Sequence, residues 1–245
     1  MFSVGSSLKA LCLDSFSMRV AVLFSGGKDS TYAVHLAERS GDEVTHLVTI
    51  RPTRSDSWMF HTVNLHLTPL LAEAVGKRLV TAPTCGVKEK ELPALEETLK
   101  SLDIEGIVTG AITSTYQRSR VDTICRKLGM VHVAPLWGRD PKKVLEEELS
   151  AGMEIILTAV AAAGLEKGWL GRRLDEKAEG ELGRLSERYG FNICGEGGEY
   201  ESLVLDAPWY SSRLEILDAD TDWDGSSGTY NVKQAILRPK IHKKG

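Results

Sequence analysis

The chain has 245 residues, 42% of them hydrophobic and 26% charged, a balance that excludes a disordered or membrane-spanning chain and suits one large α/β domain or a main domain with a smaller second one. A formal net charge of −4 gives no overall pull on a polyanion, so nucleic acid is not an expected partner, and neither is a membrane. The four cysteines, Cys12, Cys85, Cys125 and Cys194, contain no C-x-x-C pair, which argues against a zinc ribbon, an iron–sulfur site or a thioredoxin-type redox motif.

Residues 1–17 hold one lysine and no sustained apolar run, so they do not read as a secretory signal. They are expected to be an N-terminal extension, with Met18 the natural start and the cytoplasm the location. Arg19 to Phe24 is a continuous apolar run ending at Gly26-Gly27, the pattern of a buried parallel strand feeding a phosphate-type turn. Helical spacing follows from Asp29 to about Arg39, then a strand over Val44–Ile50, a helix over Leu67–Val75 and a strand over Leu79–Ala82. The alternation continues with a helix through Leu92, Leu95, Leu99 and Leu102, a short strand over Gly106–Gly110, a helix over Val121–Leu128 and an extended segment over Met130–Ala134. Five strands alternating with helices imply an α/β fold, a mostly parallel sheet with helices on both faces and its functional loops at the strands' carboxyl ends.

Beyond Pro135 the pattern loosens. Asp140-Pro141 reads as an N-cap and first helical residue, Ile155–Ala163 is apolar, and Asp175–Tyr189 is a charged amphipathic helix. Leu214–Leu217 and Tyr230–Leu237 suggest a β-ribbon. The expected organisation is therefore an extension over 1–17, a first domain over 18–135 and a smaller C-terminal α+β domain over 136–245.

The loop Ser25-Gly26-Gly27-Lys28-Asp29-Ser30 sits between the first strand and first helix, where backbone N–H groups and the helix dipole favour an anion. Its glycines let the backbone approach phosphate oxygens, Ser25 and Ser30 add hydroxyl donors, and Lys28 adds positive charge. A carboxylate at Asp29 is out of place beside a bare anion unless it faces Mg²⁺ or caps the loop, which suggests a metal–nucleotide complex. The loop lacks the G-x-x-x-x-G-K-[ST] spacing, and no G-x-G-x-x-G fingerprint is present.

This hexapeptide resembles the pyrophosphate loop of the N-type ATP pyrophosphatases. Ser57–His61, Gly110–Arg120, Pro135–Trp137 and Cys194–Glu201 resemble, in that order, segments of the diphthine–ammonia ligases, and the likeness runs from Met18 to about Pro208. Ser202 stands where threonine is usual and Asp122 where glutamate is common, and both keep the functional group. The resemblance implies a Rossmann-like sheet of the adenine nucleotide α-hydrolase kind. It implies ATP and Mg²⁺ as cofactors, a carboxylate adenylated on diphthine-bearing elongation factor 2, ammonium as second substrate, and AMP and pyrophosphate as products. A cytoplasmic, archaeal setting follows from it, with a homodimer left open; the scarcity of amides, two glutamines and three asparagines, points to a thermophile.

Under that reading Ser25, Gly26, Gly27, Lys28, Asp29, Ser30, Thr49 and Gly110 bind ATP, Asp29 takes the metal, and Lys28, Asp29, Arg120 and Glu199 carry the chemistry. His61, Tyr116, Gln117, Glu196, Gly197, Gly198, Glu199 and Glu201 face the acceptor. From residue type alone Arg120 reads rather as a solvated helix arginine, a reading that only the resemblance reverses, and the three glutamates read equally as an exposed acidic turn. Trp58, Met59 and Phe60 could close over adenine or pack locally. A tRNA-modifying relative with the same loop, or a nucleotide sensor that leaves ATP intact, are the competing readings.

Overall fold

The structure, a computed structural model, describes residues 17–52, 63–84 and 92–240. The first half alternates β1 (Arg19–Leu23), α1 (Lys28–Arg39), β2 (Glu43–Pro52), α2 (Thr68–Val75), β3 (Arg78–Thr84), α3 (Leu92–Lys100), β4 (Gly106–Val108), α4 (Thr115–Leu128) and β5 (Val131–Val133). All pairings are parallel in the order β3-β2-β1-β4-β5, so the chain reverses direction of travel between β1 and β4. The period-two alternation along β1 sorts its side chains between two cores: Val20 and Val22 join the cluster under α1 and α2, and Ala21 joins Leu95, Leu99, Val121 and Ile124 from α3 and α4. Helices thus cover both faces, as the alternation predicts.

Two boundaries differ from the sequence reading. The fourth strand stops at Val108, leaving Thr109 and Gly110 in the loop, and α4 begins at Thr115, six residues before its apolar spacing starts. That first turn is polar because it stands at the rim of the sheet. Ser114 caps it, accepting the Gln117 N–H at 3.4 Å.

The second half comprises α5 (Pro141–Ser150), β6 (Glu154–Val160), α6 (Glu176–Tyr189), β7 (Tyr200–Asp206), β8 (Ser212–Trp223) and β9 (Gly228–Pro239), with an antiparallel sheet in the order β7-β6-β9-β8. Asp140 caps α5 and Asp175 caps α6, as expected. The β8–β9 ribbon is longer than the apolar pattern suggests. Its outer half is largely exposed and held by cross-strand pairs such as Asp220–Lys233, so no hydrophobic alternation marks it. Asp224 closes the turn by accepting the N–H groups of Ser226 and Ser227 at 2.8 and 2.7 Å.

The antiparallel sheet packs on the α1–α2 side of the parallel one. A single buried cluster runs from Val20 and Val22 through Ala33 and Leu71 to Leu157, Leu203 and Leu214. Polar ties fix the same junction: Val204 N–H donates to Gly26 O at 3.0 Å, and Ser211 N–H to Ala74 O at 2.7 Å. Among the described residues no helix is long and apolar enough to cross a membrane.

Candidate active site

The loop after β1 turns directly into α1. Gly26 takes φ +80°, a left-handed conformation that a side chain would strain, and a Cβ there would also lie 2.4 Å from Leu71 Cδ1. The two serines brace the turn: Gly27 N–H donates to Ser25 Oγ at 3.3 Å, Ser30 Oγ donates to Gly27 O at 3.0 Å, and the two hydroxyl oxygens lie 3.2 Å apart. Gly27, the N-cap of α1, offers no side-chain acceptor to the helix's positive end, whose first N–H, on Lys28, is taken by Ser202 Oγ from the second sheet.

A cavity of ≈ 480 Å³ opens at the carboxyl ends of β1, β2 and β4. Ser25, Gly27, Asp29 and Ser30 form its floor, and Leu23, Val48, Ile50 and Val121 an apolar wall. Residues 194–198 and the start of β7 close the far side. Gly110 shows why the rim fits together: a Cβ on it would meet the Asp29 carbonyl carbon at 2.6 Å and Ser30 N at 2.8 Å, so only glycine lets the loop after β4 lie against the start of α1. Thr49 lines the cavity, but its hydroxyl is spent inside the protein, donating to Phe24 O at 2.7 Å.

Lys28 departs from expectation. Its side chain is fully buried behind the loop rather than in the cavity wall, with Nζ 2.5 Å from Asp29 Oδ1 and 3.3 Å from Glu148 Oε2. Burial pulls the ammonium's pKa down, yet the two carboxyl groups outweigh it and hold the pKa well above the ordinary lysine value. Burial pushes the Glu148 carboxyl well up, against the opposing pull of Lys28. Asp29 is the nearer and partly solvated carboxyl of the trio, and Glu148 the fully buried one, whose protonated form burial favours. Sequence reading missed Glu148, although a signal exists: it follows Val144 and Leu145 at helical spacing, a charged residue on an apolar face.

The acidic run also differs from its expected role. Glu199 turns inward, accepting the N–H groups of Asn192 at 2.9 Å and Gly197 at 2.7 Å, so its carboxylate braces its own turn and does not line the cavity. Glu196 reaches across to the loop before α4, accepting from Ile112 N and Thr113 N at 2.6 Å each and from Thr113 Oγ1 at 2.5 Å. It lines the cavity while doing so, beside Gly197, Gly198 and Glu201. The physical reason is the same for both: a carboxylate lowers its energy by accepting backbone N–H groups, Glu199 within its own turn and Glu196 across the fold from the loop before α4.

On α4, Gln117 and Val121 face the cavity, whereas Tyr116 and Arg120 stand one position round the helix. The Arg120 guanidinium stacks 3.4 Å from the Tyr116 ring centroid and donates through Nη1 to Tyr116 O at 3.3 Å. His61, Trp58, Met59 and Phe60 lie outside the described residues, as do residues 1–16. Two further wall residues were not anticipated. Ser202 Oγ accepts the Lys28 N–H at 3.2 Å, and Cys194, buried, donates its thiol to Pro141 O at 2.9 Å. Burial pushes the Cys194 thiol up to about 12.

These features define an α/β protein whose serine–glycine loop opens on a cavity at the reversal point of a parallel sheet, roofed by its own second sheet. Comparison with known proteins gives the particular family: models described as the diphthamide synthase N-terminal and C-terminal domains match residues 18–132 and 140–237. The chain belongs to the diphthamide synthase family. It is 38% identical to a diphthine–ammonia ligase of Bos taurus and 36% to one of Homo sapiens, each time over 81% of this chain and 83% of the relative. A diphthine–ammonia ligase of Schizosaccharomyces pombe is 34% identical over 83% of this chain and 37% of its own longer sequence.

Proposed function

We propose that the chain is an ATP-dependent diphthine–ammonia ligase. The diphthine carboxylate on elongation factor 2 attacks the α-phosphorus of ATP, pyrophosphate leaves, and ammonia displaces AMP from the acyl-adenylate to give diphthamide. The observation that carries this reading is the meeting of both family halves on one cavity: the serine–glycine loop forms the floor, and β7, through Ser202 and Val204, clasps that loop from the second sheet.

In this reading Ser25, Ser30 and the N–H groups at the start of α1 receive the pyrophosphate oxygens, where the helix end and hydroxyl donors offset the charge that builds on the leaving group. Lys28 acts from behind the loop, its buried charge felt through a low-dielectric interior and its ammonium fixing the Asp29 carboxylate. The wall of Leu23, Ile50 and Val121 suits an adenine ring, and Glu196 and Glu201 stand where the acceptor or ammonium would enter.

Among the described residues no group of three or more His, Cys, Asp or Glu side chains is placed to hold a metal by itself. Asp29, which lines the cavity beside the loop, would hold Mg²⁺ delivered on ATP. When bound, the ion would neutralise phosphate charge. Ammonium, Mg²⁺ and a cytoplasmic location belong to the same proposal.

The test is incubation with ATP, Mg²⁺, ammonium and diphthine-bearing elongation factor 2. Nucleotides are then separated by chromatography and the factor is weighed by mass spectrometry. The expected result is AMP and pyrophosphate in step with diphthamide. ADP without AMP, or ATP bound and left intact, would overturn the proposal.

A further inference from the structure

Behind the cavity wall runs a hydrogen-bonded chain that the reaction described above does not use. Asp122 Oδ1 lies 2.6 Å from His132 Nδ1, and His132 Nε2 lies 2.9 Å from Thr109 Oγ1. The imidazole is 5% exposed, and Thr109, 7% exposed, lines the cavity. The fold brings the three together because α4 is the crossover between the neighbouring parallel strands β4 and β5. Val108 pairs with Val133, and Thr109 N–H donates to Val133 O at 3.0 Å, which sets Thr109 beside the His132 ring. Arg118 stands 3.7 Å from the other Asp122 oxygen and stacks 4.3 Å from the Trp137 ring centroid, holding the carboxylate in place.

The direction of each hydrogen bond follows from what the groups can do. An ionised carboxylate only accepts, so Nδ1 carries the ring proton. In the neutral ring Nε2 is then a lone pair, and it takes the single hydroxyl proton of Thr109. Oγ1 is left with lone pairs alone. A threonine without such a backing would offer the cavity a donor or an acceptor as the ligand required.

We propose that Asp122 and His132 are positioning residues that fix Thr109 as a hydrogen-bond acceptor, and that Thr109 is thereby a specificity-determining residue that takes an N–H or O–H donor from the nucleoside of the bound nucleotide. This rests on the ATP reading above. Two groups of ATP have the required chemistry, the 6-amino group of adenine and a ribose hydroxyl. Thr109 selects the nucleotide that carries the donor and disfavours one that presents a carbonyl oxygen in its place, because two lone pairs would then face each other in a partly dry wall.

The experiment is calorimetric binding of ATP, inosine triphosphate, 2′-deoxy-ATP and 3′-deoxy-ATP to the unaltered chain and to Thr109→Val, Thr109→Ser and His132→Phe. Inosine replaces the 6-amino group with a carbonyl. Thr109→Val is expected to lose roughly three- to tenfold of the preference for ATP over one analogue, while Thr109→Ser keeps it. Loss confined to inosine triphosphate assigns the amine, and loss confined to one deoxy analogue assigns that hydroxyl. His132→Phe leaves the threonine but frees its proton, so inosine triphosphate should gain relative to ATP if the amine is the donor, a change that mere loosening of the fold would not produce. A uniform loss for all four nucleotides, or unchanged ratios in Thr109→Val, would overturn this inference and leave the ligase reading standing. Failure of the unaltered chain to bind ATP would overturn both.

Discussion

Lys28 Nζ lies 3.3 Å from Glu148 Oε2, with both side chains wholly out of solvent, so the loop's one cation is anchored from the second half of the chain. If Glu148 carries a proton, Glu148→Gln keeps its charge state and shape, and denaturant unfolding should change by less than about 1 kcal/mol. Glu148→Ala should cost about 3 kcal/mol from the cavity it leaves. A loss of about 3–5 kcal/mol for Gln would instead mean that an ion pair had been broken.

The same assignment sets a pH dependence. A carboxyl whose folded pKa is raised above its unfolded value holds a proton in the native state that the unfolded chain releases. Its contribution is therefore fully present below the unfolded value of about 4.3 and is lost as pH rises toward the raised value, at up to about 1.4 kcal/mol per pH unit. Unfolding free energies measured across that window should fall for the unaltered chain relative to Glu148→Gln. Parallel curves would count against the protonated carboxyl.

Ser25 and Lys28 separate the two roles of the loop. Ser25→Ala removes a hydroxyl from the cavity floor and should weaken ATP binding about tenfold, near 1.4 kcal/mol, with the melting temperature little changed. Lys28→Ala strips a buried cation from Asp29 and Glu148 and should lower both. Calorimetry and thermal melting on the two variants decide it; a Lys28→Ala protein as stable as the parent would contradict the buried placement.

Glu199→Gln tests whether the acidic run braces or reacts. An amide has one oxygen to accept with, so one of the two N–H groups now held, on Asn192 and Gly197, should lose its partner, at about 1.5 kcal/mol. Amide formation should fall together with stability, and both should recover in part at lower temperature. Lost turnover at full stability would return Glu199 to the chemistry.

Gly110→Ala places a methyl group against the backbone of Asp29 and Ser30. The start of α1 must then shift, with an expected loss of about 1–3 kcal/mol and a matching weakening of ATP binding. An alanine variant that binds ATP like the parent would show that the contact is looser than 2.6 Å implies.

Much of the first half was legible from sequence because its strands are buried on both faces and its helices carry apolar stripes, so hydrophobic period alone separates β1, α1, β2 and their successors. The strand–glycine–helix punctuation likewise located the Ser25–Ser30 loop, since a turn of that kind is built by residues adjacent in the chain. The roles of individual side chains were less legible. Lys28 and Glu199 have the composition of ligand-facing groups, and whether a charge faces a ligand or a buried partner depends on residues far along the chain, such as Glu148 for Lys28. The contact of Glu196 with Ile112 and Thr113, and the chain from Asp122 through His132 to Thr109, arise only when β4, α4, β5 and the second sheet are packed. Hydrophobic period is set by each segment's own solvent boundary and survives in one dimension; hydrogen-bond partnership depends on distances of about 3 Å between segments, and only the tertiary structure supplies them.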